Sequence, residues 1–209
     1  MAEKLGKIEK PKADHFMSKR KLYLVPLIFS GEKAHPEYIE KFNLYWEQVG
    51  EYVTNLELKI GTVNHIFHET ITLAGENGLE TIEKLSPASY QITRNKCQNG
   101  ATFEATEDKE LTEENMDWER FLLMGFISQK VAKVISEFYL ETSRKRYAYI
   151  AQILDETLKA NEVGILFIQE DHRVQFPQDI EVFSIAPPAL DDIRRWQRDH
   201  TSADKRAEP

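Results

Sequence analysis

Three short stretches carry residue types that could do chemistry. The first is His65–Glu69, H-I-F-H-E. On a helix, His65, His68 and Glu69 would share one face, and a divalent metal could sit there. On a strand the two histidines would point to opposite sides of the sheet. The surrounding Thr62–Leu73 segment is rich in β-branched residues and reads as a strand. The order H-E-x-x-H, in which the glutamate serves as base of a zinc protease, is also missing. No metal is therefore expected, and His65 stays as a candidate ligand-binding residue.

The second stretch is Glu170-Asp171-His172, just past the apolar run Val163–Ile168. In an open α/β sheet, ligands sit in the crevice outside the carboxyl ends of the strands. A carboxylate beside a histidine can tune it toward neutral pH. The plainer reading is a polar turn with Asp171 as its turn residue. The third stretch is Arg144-Lys145-Arg146, which stands among Tyr139, Tyr147 and Tyr149. Interleaved basic and aromatic side chains can hold single-stranded nucleic acid by phosphate contact and stacking, which makes Arg144, Lys145, Arg146 and Tyr147 candidates. Glu137, Glu141, Asp155 and Glu156 dilute that field, and an exposed basic helix turn is the plainer reading.

Other chemistry is missing from the sequence. It contains no G-x-x-x-x-G-K-[ST], G-x-G-x-x-G or G-x-S-x-G motif, so P-loop hydrolysis and serine-hydrolase chemistry are not expected. A di-iron bundle needs two Glu-x-x-His motifs, and the sequence does not supply them. Cys97 is the single cysteine and has no neighbours that would activate a thiolate. No cofactor is expected.

The elements that would position these residues follow from hydrophobic spacing. Leu22–Phe29 reads as a strand, with Pro26 placing it at an edge or a bulge. Pro36–Ile60 is the clearest helix, since Tyr38, Phe42, Tyr45, Trp46, Val49, Val53 and Leu56 recur every three or four residues. Short helices follow around Leu79 and after Ser86-Pro87, and Ala101–Thr106 reads as a short edge strand. Thr112 is the expected N-cap of the next helix. A second long helix covers roughly Ser128–Lys159, with a bulge or bend expected at the polar run Glu141–Arg146. Val163–Ile168 is too short for a core helix and reads as a strand buried on both faces. A second strand, Ile180–Ile185, and a terminal helix, Pro188–Asp199, complete the chain.

The order in Tyr147–Ile168, Y-A-Y-I-A-Q-I-L-D-E-T-L-K-A-N-E-V-G-I-L-F-I, resembles the third domain of archaeal and eukaryotic class 1 release factors and their Pelota-like relatives. A helix ends in a short acidic turn and feeds an apolar strand that carries a polar loop. The resemblance implies an α/β/α sandwich and a ribosome- or protein-contacting module. The family's Gly-Gly-Gln and Asn-Ile-Lys-Ser elements are absent here, so peptidyl-tRNA hydrolysis is not implied.

The expected architecture is thus α/β: one domain over residues 22–199, with a mixed sheet of four to five strands covered by long helices. Residues 1–21 and 200–209 are expected to be disordered tails. The net charge of −8 argues against general affinity for nucleic acid. A lone cysteine, and lysines near the N-terminus without an apolar core behind them, point to the cytoplasm. Two functions fit. One is a non-enzymatic binding or assembly module, ribosome- or RNA-associated, self-associating through a long helix. The other is a small-molecule or metal-assisted enzyme with its site in the loop after Val163–Ile168.

Overall fold

The computed structural model describes residues 19–31 and 34–207. The tail expected over residues 1–21 lies outside them, apart from its last three residues. Five strands form one sheet: β1 (Arg20–Pro26), β2 (His65–His68), β3 (Thr102–Phe103), β4 (Val163–Ile168) and β5 (Ile180–Ser184). Their order is β3-β2-β4-β1-β5, and all four pairings are parallel. The expected α/β architecture holds, with a wholly parallel sheet in place of a mixed one. Parallel neighbours need long crossovers, and the helices supply them.

Helices α1 (Pro36–Glu57), α2 (Gly75–Leu85), α3 (Pro87–Gln98) and α6 (Pro188–Ala207) bury their apolar stripes on one face of the sheet, against Tyr23, Val25, Ile66, Ile165 and Phe167. The other face carries Leu22, Phe67, Leu166 and Ile168. It is covered by the second half of α5 (Gln129–Thr157) and by Val174 of the β4–β5 loop. Every residue of β4 is buried, as its uninterrupted apolar run requires. Gly164 lets Leu22, Phe67 and Leu158 close on this strand, since a Cβ there would meet all three at 3.1–3.2 Å.

Several boundaries differ from the sequence reading for identifiable reasons. Pro26 ends an interior strand rather than marking an edge. Its missing N–H falls where the ladder stops, and its carbonyl accepts the Tyr45 hydroxyl at 2.5 Å. β2 is much shorter than Thr62–Leu73, because Thr70 turns the chain at φ 68°. Helix α4 (Lys109–Met124) starts earlier than Thr112 would place it. Asp108 is the N-cap, accepting the Leu111 N–H at 2.9 Å. α5 runs unbroken through Glu141–Arg146, and α6 continues past Asp199.

Candidate ligand-binding site

The carboxyl ends of β2 and β4 lie side by side, and two polar clusters form there on opposite faces of the sheet. His68 faces the α1–α3 side. Its Nδ1 bonds the Glu69 carbonyl at 2.8 Å, and its Nε2 lies 3.0 Å from Ser89 Oγ, itself 2.7 Å from Ser86 Oγ. Burial pushes the His68 pKa down to about 4, so the ring is neutral at physiological pH. A histidine beside a serine has the parts of a nucleophilic pair, yet His68 and Ser89 are both sealed from solvent. The cluster ties α3 to the sheet.

Glu69 faces the α5 side. One of its oxygens accepts the Gln169 N–H at 2.8 Å, and the other lies 3.7 Å from the Arg146 guanidinium. Arg146 is committed to Glu107 by a two-pronged pair at 2.6 and 2.7 Å and also donates to Asn115 at 2.7 Å. Glu107 also accepts the Thr70 N–H and the Thr112 hydroxyl. One guanidinium therefore serves two buried carboxylates. Burial, with Glu107 and Asp171 adding to it, pushes the Glu69 pKa up to about 7 against the pull of the Gln169 amide and Arg146. This network joins the end of β2, the start of α4 and the middle of α5. Arg146 is correspondingly removed as a nucleic-acid residue: it is buried and fully paired. Lys145 points away from the sheet and pairs with Glu141 at 2.7 Å.

Beside this network, a cleft of about 530 Å³ opens between α5 and the β4–β5 loop. Tyr139, Ser143, Arg144 and Tyr147 line it from the helix, and Asp171, Arg173 and Gln175 from the loop. Leu140, Ala148 and Ala151 supply the apolar part of the wall. Burial raises the Tyr147 pKa to about 12, and the negative charge of Glu69 adds to it, so the hydroxyl stays a donor. Among the described residues, neither Arg144 nor Arg173 has a carboxylate within ion-pair distance.

The remaining candidates are dispersed. Glu170, Asp171 and His172 diverge from one another. Glu170 pairs with Arg194 of α6 on the opposite face. Asp171 enters the cleft. His172 accepts the Val174 N–H at 3.3 Å and meets Phe176 edge-on, and partial burial lowers its pKa despite Asp171. No dyad forms. His65 lies at the amino end of β2, bonded to Glu104 at 2.8 Å and 3.3 Å from Glu162. It is level with Gly164, at the other end of β4 from His172. Two residues of the second and third stretches, Asp171 and Arg144, thus meet with Tyr147 in one cavity.

No family model, characterised protein or solved structure matches the chain. No described helix is long and apolar enough to cross a membrane.

Arg173, Ser143 and Gln175 had no motif to reveal them, although Arg173 directly follows the Glu-Asp-His stretch. Glu107 sits in an acidic stretch with no motif to mark it. Arg146 had a usable signal, because it stands four residues before Ile150 and eight before Leu154, on the stripe that packs against the sheet.

Proposed function

We propose that the chain is a non-enzymatic binding module that takes a small anionic ligand with a planar group in the cleft between α5 and the β4–β5 loop. The observation that carries this reading is the placement of two unpaired guanidinium groups, Arg144 and Arg173, in one cavity with two tyrosines. A guanidinium fork matches a phosphate or carboxylate through two parallel hydrogen bonds. A tyrosine ring offers a face for stacking, and its hydroxyl a hydrogen bond. Asp171 favours a ligand that also presents hydroxyl or amino donors. The volume falls in the usual range for small-ligand pockets. Its place outside the carboxyl end of β4 is where parallel α/β sheets bind ligands. Nucleoside monophosphates combine all three features, which keeps an RNA-associated role in view through a single exposed nucleotide. A cytoplasmic setting and assembly through a long helix belong to the same reading.

Calorimetric titration with the four nucleoside monophosphates, alongside simple dicarboxylates as controls, tests the reading. We expect saturable binding of at least one nucleotide. Arg144→Gln or Arg173→Gln should weaken it by about 10- to 100-fold, the usual loss for a charge-assisted hydrogen bond. Neither side chain supports the fold through an ion pair, so melting temperatures should hold. Flat titrations across the nucleotides, or binding indifferent to both substitutions, would refute the assignment.

A further inference from the structure

We infer that the α4–α5 hairpin is a self-association surface, occupied by the same hairpin of a second copy of this chain. α4 packs against the first half of α5 and makes no comparable contact with any other element. At 1.5 Å per residue, α4 is about 24 Å long and α5 about 44 Å, so the pair forms an arm whose outer part is remote from the sheet. Trp118 stacks on Phe138 across the arm at 5.0 Å and touches Phe121 at 6.0 Å. Val131, Val134 and Phe138 recur at helical spacing on α5, which extends the aromatic patch into a stripe along one side of the arm. Phe121, Val131, Val134 and Phe138 remain 41–46% exposed. At the tip, Leu123 and Met124 are about four-fifths exposed and Ile127 fully so. Contiguous apolar surface of this kind marks an interaction site rather than scattered exposure.

Charge selects the occupant. From Glu113 to the end of α4 there are four acids, Glu113, Glu114, Asp117 and Glu119, against Arg120 alone. The first two turns of α5 carry Lys130 and Lys133 and no acid. Within the hairpin Trp118 lies level with Phe138 and Asn115 with Ser143, so the acids of α4 sit toward the base of the arm and Lys130 and Lys133 at its tip. A two-fold axis perpendicular to the arm, near Trp118 and Phe138, sets each acidic base beside the basic tip of the other copy. Opposite charges then meet twice, and the two stripes close on each other as the core of a four-helix arrangement. A partner helix of uniform charge would match one of the two helices and repel the other.

Sedimentation velocity of the full chain from 1 to 100 µM tests this. The expected result is a monomer–dimer equilibrium with a micromolar dissociation constant. Val134→Glu should weaken it by at least 100-fold. The double charge reversal Lys130→Glu, Lys133→Glu changes only exposed groups, so folding is not at risk, and it should weaken association by about tenfold. A monomer at 100 µM overturns the inference. So does a dimer that neither variant disturbs, or a monomer that instead floats with anionic phosphatidylserine vesicles.

Discussion

His68 and Glu69 are neighbours in sequence, both buried at the end of the same strand, and the sheet divides them. Burial acts on both in favour of the neutral form, pushing the histidine down to about 4 and the glutamate up to about 7. Their surroundings separate them in function. His68 is closed in by two serines and a backbone carbonyl, a fully satisfied joint with no route to solvent. Glu69 shares one guanidinium with a second carboxylate, and its charge reaches Tyr147 on the wall of the cleft. Equal burial thus yields a fastening on one face and a charge-tuned support for the cleft wall on the other.

Arg146 carries the largest expected effect. Its removal leaves Glu69 and Glu107 buried without a cation, and breaking a buried pair in this way costs about 3–5 kcal/mol. We expect Arg146→Ala to lose that much in urea unfolding at pH 7, and Arg146→Ala with Glu107→Gln to recover part of it. A loss below about 1 kcal/mol would show that the network is not what joins α5 to β2.

pH acts on the two residues in opposite directions. For His68, the unfolded chain takes up a proton below pH 6.5 that the folded chain refuses down to about 4. Its contribution is complete above pH 6.5 and is lost as pH falls toward 4, amounting to about 3 kcal/mol. For Glu69, the folded chain keeps a proton up to about pH 7 that the unfolded chain releases near 4.5. Its contribution is therefore lost as pH rises through that window. The two slopes oppose each other between pH 4.5 and 6.5. Stability of the unaltered chain should be nearly level there with respect to this pair. Glu69→Gln keeps the acceptor for the Gln169 amide and should expose a rise with pH. His68→Gln should expose a fall. Parallel slopes in the two variants, measured by urea unfolding at four pH values, would refute the pairing.

The sequence showed the elements more clearly than their arrangement. β4 was legible because a strand covered on both faces must be apolar throughout, and α1 because its stripe keeps helical period over six turns. The insertion of β4 between β1 and β2 was not, since strand order depends on pairings between residues as far apart as Lys21 and Val163 or His65 and Gly164. The site divided along the same line. Arg144, Tyr147 and Asp171 were each visible as residue types. Their meeting depends on the second half of α5 lying against the β4–β5 loop, which is a consequence of packing. Arg146 read as solvated because its neighbours are charged, although its phase on the helix matches Ile150 and Leu154.

The smallest effect concerns the residue that ends β2. Thr70 holds φ 68°, a left-handed conformation that a β-branched side chain adopts only under constraint. Its amide is fixed by Glu107 at 2.7 Å, and its side chain is exposed. The strain belongs to the Glu69 side of the sheet, where the backbone must turn at once to bring Glu69 and the Thr70 amide to the Arg146 network. Thr70→Gly relieves that strain and keeps the amide, while the freer unfolded chain takes back part of the gain. The net expectation is stabilisation of about 1 kcal/mol in urea unfolding, with the proposed nucleotide binding in the cleft unchanged. If the glycine variant were less stable than the parent, the turn would owe its shape to the threonine side chain rather than to the buried carboxylate beneath it.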